Sequence, residues 1–235
     1  MIRAVLFDLD GTLIDSERQT DQAILEVMAT HGVEGARLPP QETRGRSWPD
    51  VVRFLQARYA ITVAPKRIEE ALIQRWMTLT EKVEPLPGAV DAVRALAKLF
   101  SLAVVSSSPR HAIDALLEQI GVGGLIPPGC RLSADEITNP KPHPEGFLTM
   151  AARLGVEPEE CLVFEDSSAG LRAARTAGMF GVALLHVCAE PDLCRSLADA
   201  AIQHYAAVPA EVWSKIGKTD RTSLAGLFRD AAKPA

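Results

Sequence analysis

Residues 4–13 read Ala-Val-Leu-Phe-Asp-Leu-Asp-Gly-Thr-Leu, a short apolar run that ends in two carboxylates and a glycine. Val5, Leu6 and Phe7 are apolar at consecutive positions, so a strand built from them must be covered on both faces, as strands of parallel sheets are. Asp8 and Asp10 are two residues apart and project to one side while the chain stays extended. Gly11 then permits a sharp turn. Two like charges held that close raise each other's pKa unless a cation or another positive group sits between them. The segment therefore reads as a reactive strand edge. An Asx-type turn closing the strand end is the plainer alternative.

The chain beyond residue 88 alternates strand and helix. Leu102–Val105 is a strand ending in Ser106-Ser107-Ser108, and Pro109 opens a helix that stops near Gly121. Cys161–Phe164 is a strand ending in Glu165-Asp166, followed by a helix through Leu171, Ala174 and Ala177 that Gly178 ends; Phe180–Leu185 is a further strand. This alternation predicts an α/β fold with a Rossmann-like parallel sheet. Ligands of such sheets bind beyond the carboxyl ends of the strands. Asp8, Asp10, Ser106, Glu165 and Asp166 are then expected at one rim. Each position also has a local explanation, since Ser108 before Pro109 suits a helix cap and the acids at 165–166 suit a helix N-terminus. Polar groups at successive strand ends favour a site. In Asn139-Pro140-Lys141-Pro142-His143-Pro144, three prolines stiffen the backbone around Lys141. Lys141 is the evident source of positive charge for a carboxylate-rich site, whereas His143 reads as structural.

Between the first strand and this alternating region lies a block without a buried strand. Ser16 can cap a helix carrying Ile24, Val27 and Met28, with Gly32 as its stop. Ser47-Trp48-Pro49-Asp50 starts a second, and Pro65 a third with Ile68, Leu72, Trp76 and Leu79 along one face. The expected organisation is an α/β core of residues 1–14 and 86–217, an inserted helical cap of residues 15–85, and a tail of residues 218–235. For the tail, a packed helix through Leu224, Leu227 and Phe228 and a self-association segment are both open, as is the oligomeric state. With 235 residues and 47% hydrophobic content, the chain can support one such core with an insertion. A net charge of −5 gives nucleic-acid binding no electrostatic support. No apolar stretch nears the roughly 20 residues of a membrane span, and the short N-terminal run broken by Asp8 is no signal peptide. The four cysteines form no CxxC pair, which fits a reducing cytoplasm.

Four motifs in this order resemble the haloacid-dehalogenase (HAD) superfamily: Asp8–Thr12, Ser106, Lys141 within Lys-Pro-x-Pro, and Glu165-Asp166-Ser167-Ser168-Ala169-Gly170. The last resembles the acidic form of the β-phosphoglucomutase-like and sugar-phosphatase branch, whose helical cap follows the first motif. The resemblance spans about residues 1–205. It implies Asp8 as the nucleophile that forms an aspartyl-phosphate and Asp10 as general acid and then base. It implies Ser106 and Lys141 on the phosphoryl oxygens, and Thr12 and Ser107 as substrate-binding positions. It also implies Mg²⁺ held by the Asp8 side chain, the Asp10 carbonyl oxygen and Asp166, with Glu165 direct or one step removed. Family cap loops reach the site near Gly45–Trp48. There Arg46 could contact a substrate hydroxyl or carboxylate and Trp48 could stack on a sugar face, or Arg46 is solvated and Trp48 packs a helix start; Arg75 and Lys82 are weaker candidates.

The implied activity is hydrolysis of a small phosphate ester, of the sugar or polyol class. Asp10 argues against a dehalogenase, and the absence of lysine from Glu17 to His31 argues against a phosphonatase. A phosphomutase is the alternative; Thr20 stands where those mutases carry a histidine, and Thr12 is more phosphatase-like than their valine. A silent phosphometabolite-binding protein is the remaining reading.

Overall fold

The computed structural model describes residues 1–231, and it places β1 (Ala4–Phe7) inside a parallel sheet. All four residues of β1 are buried. Val5 and Phe7 join one apolar layer while Ala4 and Leu6 join the layer on the opposite face. The consecutive apolar residues are thus explained by two covers rather than one.

The chain leaves the sheet at once for α1 (Glu17–Thr30), α2 (Pro40–Thr43), α3 (Trp48–Tyr59) and α4 (Pro65–Thr80). It returns through α5 (Ala89–Leu96) to β2 (Ser101–Val105), then α6 (Arg110–Gln119), β3 (Arg131–Leu132), α7 (Glu145–Leu154) and β4 (Cys161–Glu165). α8 (Ser168–Thr176), β5 (Phe180–Leu184), α9 (Pro191–Leu197), β6 (Ala200–Ile202), α10 (Ala210–Lys215) and α11 (Arg221–Ala231) complete it. The strand order is β3-β2-β1-β4-β5-β6, and every neighbouring pair is parallel. The order reverses between β1 and β4, where a doubly wound sheet opens its ligand crevice. Phe7 lies level with Val104 on β2 and Phe164 on β4. Continued by one step, that register sets Asp8 beside Glu165.

α1, α3 and α4 bury Ile24, Val51, Leu55, Leu72 and Trp76 among themselves. Two linkers tie this helical unit to the sheet. The amide of Asp15 donates to the carbonyl of Glu84 (3.1 Å), and the amide of Leu86 to that of Leu13 (2.9 Å), so the outgoing and returning chains run side by side. Gly32 ends α1 in the left-handed region, at φ 78°. Ser16 stands at the start of α1, yet its hydroxyl makes no capping bond there.

The tail is a packed helix as far as it is described. α11 lies against β6, with Leu224 and Phe228 fully buried. Residues 232–235 of the expected tail lie outside the described residues. Among the described residues, no helix is long and apolar enough to cross a membrane.

Candidate active site

The strand ends converge as the sheet topology demands. Lys141 reaches in from the loop before α7, and its ammonium donates to Asp8 Oδ1 (2.5 Å) and Glu165 Oε1 (2.6 Å). All three side chains are buried. Asp166 completes a cluster in which carboxylate oxygens of Asp8, Glu165 and Asp166 lie within 4.8 Å of one another. Two glycines make room for it. A Cβ on Gly11, whose φ is +79°, would sit 2.2 Å from Asp166 Oδ2, and a Cβ on Gly170 would sit 1.8 Å from Glu165 Oε1. Glu165 is further fixed by the amide and hydroxyl of Ser167, each donating to Oε2 at 2.9 Å.

Charge in this cluster is unbalanced. Asp8 is raised to about 8: burial pushes it up, the Lys141 attraction pulls it down, and Glu165 and Asp10 push it up again. Burial likewise raises Asp166, with Glu165 adding to the rise. For Lys141, burial favours the neutral amine, but Asp8 and Glu165 more than offset it and keep the ammonium charged. One ammonium thus serves two carboxylates beside a third. An all-oxygen set with surplus negative charge suits a hard divalent cation, and the residues present fit one.

The carboxylate of Asp10 stands apart from that cluster. Oδ1 accepts from the Ser16 hydroxyl (2.6 Å) and Oδ2 from the Ser108 hydroxyl (2.7 Å). Burial raises its pKa, and these two hydroxyls act in the opposite direction. The capping roles expected of Ser16 and Ser108 therefore give way: both hydroxyls are committed to the carboxyl group of Asp10. Pro109, not Ser108, precedes the first turn of α6. Ser106 is buried, and its Oγ accepts from the Ser108 amide at 3.0 Å.

Four candidate substrate contacts are placed differently. The Thr12 hydroxyl is fully buried and donates to Asp166 Oδ1 (3.1 Å), so it orients that carboxylate instead of facing the cavity. Ser107 lines the cavity but donates to the carbonyl of Gly45 (3.3 Å), bridging the sheet to the cap loop. Arg75 is ion-paired with Glu26 and Lys82 is exposed beyond α4; neither lines the cavity.

That cavity, about 40 Å³, lies between Asp8 and Asp10 on one side and the cap on the other. Arg46 lines it with its Nε donating to the Gln41 carbonyl (3.2 Å). Trp48 lines it too, buried and edge-on to Trp76 at 6.1 Å. The cap also supplies a pair the sequence reading missed. Arg44 Nε lies 2.7 Å from Glu17 Oε2, and both side chains line the cavity. Burial pushes Glu17 up to about 8 despite the Arg44 attraction. The one available signal was an acidic residue on the side of α1 that carries Ile24 and Met28, which a first-turn acid explains equally well.

Comparison with known proteins agrees with this geometry. The family model for haloacid dehalogenase-like hydrolases matches residues 2–178. Hexitol phosphatase B of Escherichia coli (strain K12) is 39% identical over 186 residues, covering 76% of this chain and 81% of that protein. A fructose-1-phosphate phosphatase of the same organism is 31% identical over 179 residues, covering 76% and 94%. The crystal structure of a hydrolase from Pseudomonas syringae superposes with a TM-score of 0.77 at 24% identity, over 87% of this chain and 94% of that one. By the extent of the family match and the identity to these relatives, the chain belongs to the haloacid dehalogenase-like hydrolases.

Proposed function

We propose that this hydrolase is a Mg²⁺-dependent phosphatase of small sugar or polyol phosphates, acting through an aspartyl-phosphate on Asp8. The observation that carries the reading is the pairing of two acids in different states. Asp8 is held by Lys141 within a carboxylate cluster, while Asp10 is held apart by two hydroxyls. Relatives named as hexitol and fructose-1-phosphate phosphatases support the substrate class.

In this reading the Asp8 carboxylate attacks phosphorus as the ester oxygen departs. Asp10, which burial keeps inclined to hold a proton, delivers that proton to the leaving oxygen. It then takes a proton from the water that hydrolyses the acyl phosphate. The Ser106 hydroxyl and the Lys141 ammonium hold phosphoryl oxygens, in a reaction where positioning and electrostatics do most of the work. Asp8, Asp166, Glu165 and the Asp10 carbonyl oxygen would hold Mg²⁺, which supplies positive charge to a phosphoryl group that carboxylates otherwise repel.

The cap gives the substrate side. Glu17, Arg44, Arg46 and Trp48 line the cavity opposite Asp8, and they offer a carboxylate, guanidinium groups and an aromatic face to a polyhydroxylated leaving group. Closure of the helical unit over this cavity would exclude water from the reaction.

The test is phosphate release from hexitol, ketose and aldose phosphates, with Mg²⁺ or EDTA, for the wild type and Asp8→Asn. Turnover that needs both the metal and Asp8 is the expected result. Phosphate passing from a donor to a second sugar hydroxyl, without net release, would overturn hydrolysis in favour of a mutase.

A further inference from the structure

Two thiols after β5 are left unused by the phosphatase chemistry, Cys188 in the loop that leads to α9 and Cys194 within α9 itself. Cys188 Sγ and Cys194 Sγ are 3.1 Å apart, the first half-buried and the second buried. Each end of this pair touches the active site through a different partner. The Cys194 thiol donates to the backbone carbonyl of Asp166 at 3.4 Å. The carbonyl of Val187, next to Cys188, accepts from Arg44 Nη1 at 3.2 Å, and Arg44 is the cap residue paired with Glu17 at the cavity. The thiols thus sit between the residue that carries a cluster carboxylate and the arginine that anchors the cap loop.

We propose that Cys188 and Cys194 form a modification site, oxidised by peroxides to an intramolecular disulfide that lowers turnover and is reversed by thiols. The geometry favours it. A disulfide bond is about 2.05 Å long, so closing the gap takes only about 1 Å. The chain from Leu185 to Glu190 has no regular structure to resist that movement. Among the described residues, the remaining cysteines, Cys130 and Cys161, have no sulfur partner. The chemistry balances. The half-buried Cys188 sulfur attacks a peroxide oxygen, breaking the O–O bond and leaving a sulfenic acid and water. The Cys194 sulfur then displaces hydroxide from that sulfenic acid. Two thiol protons and two electrons leave the pair, and hydrogen peroxide becomes two waters.

The consequence follows from the contacts. The disulfide removes the S–H that bonds the Asp166 carbonyl, and it draws Cys188 away from the position in which Val187 holds Arg44. Both the carboxylate cluster and the cap side of the cavity are loosened. The effect on turnover rests on the phosphatase reading, but disulfide formation does not, so the two can fail separately.

The test treats the whole enzyme with hydrogen peroxide, blocks remaining thiols, and reads intact mass, the linked peptide and phosphate release. The expected result is a mass loss of about 2 Da assigned to a 188–194 link. Turnover falls by about fivefold, the scale of one lost hydrogen bond, and dithiothreitol restores both. Cys188→Ser, with Cys188→Ala as a second variant should the first not fold, keeps its basal turnover and shows neither change. Oxygen addition at a single cysteine, or a link between chains, overturns the site. A 188–194 link with unchanged turnover, or equal inhibition of the Cys188 variants, overturns its coupling to the reaction.

Discussion

Lys141→Met is the sharpest probe of the site, because methionine keeps most of the side-chain length and removes only the ammonium. In the native protein that ammonium bridges Asp8 and Glu165 at 2.5 and 2.6 Å, with all three side chains less than a tenth exposed. Removing one partner of a buried pair typically costs roughly 3–5 kcal/mol, since an uncompensated charge is left behind. Here the lower end applies, because burial already raises the Asp8 pKa and loss of Lys141 raises it further, so the carboxyl takes up a proton instead of standing as an unpaired charge. A loss of about 3 kcal/mol in a chain of this length lowers Tm by roughly 6–12 °C. The chemical cost is larger. The variant loses a donor to the phosphoryl oxygens and gains a protonated nucleophile, so turnover should fall by about 10²- to 10³-fold. Thermal unfolding in EDTA and phosphate release with Mg²⁺ give the two readouts. Added Mg²⁺ should recover part of the Tm, since it supplies charge to the same carboxylates. A variant with Tm within about 2 °C of wild type and turnover within about threefold would refute the electrostatic reasoning.

Three other changes test separate parts of the structure. Glu17 has its pKa raised from 4.5 to about 8, so the unfolded chain releases its proton at lower pH than the native protein does. Native stability therefore falls as pH rises across that window, and Glu17→Gln should flatten the fall of metal-free Tm between about pH 5 and 8; an unchanged slope would sink the assignment. Ser108→Ala removes the donor to Asp10 Oδ2; kcat should drop by about tenfold with KM little changed. The pH–rate profile should move upward, because Asp10 loses a bond that favours its charged form, and a KM effect alone would argue against a role through Asp10. Phe228→Ala deletes a fully buried ring that is edge-on to Phe164 at 6.2 Å. Urea unfolding should show a loss of roughly 3–5 kcal/mol, and a loss below about 1 kcal/mol would mean that α11 is not part of the core.

The sheet and the acidic rim were readable because their signals are local and redundant. A strand covered on both faces must be apolar throughout, so polar residues at its end stand out, and they do so after β1, β2 and β4. Short elements gave no such contrast. β3 has two residues and β6 three, too few for any periodicity. Ser16 and Ser108 take other partners for a physical reason: a hydroxyl before a helix is usually a cap, and only the tertiary approach of Asp10 offers it a carboxyl oxygen instead. Glu17 and Arg44 come from the first turn of α1 and the loop after α2, and their pairing across the cavity leaves no pattern in the chain.

What fixes the carboxylates in place extends beyond the motifs. Phe7 and Phe164 stack at 5.5 Å with ring planes 11° apart, each one residue before a rim acid, Asp8 and Glu165. That stack is braced from one side by Tyr205, Trp213 and Phe228, whose rings lie 5.2, 6.2 and 6.2 Å from Phe164. All three belong to the stretch after residue 178, where the family match ends. A tilt of Phe164 would carry Glu165 with it and alter its 2.6 Å bond to Lys141. The elements after β5 therefore hold the apolar platform on which the two acidic strand ends keep their spacing. Aromatic packing at the back of the sheet and charge balance at its rim are two parts of one constraint, which is why a core substitution such as Phe228→Ala should cost turnover as well as stability.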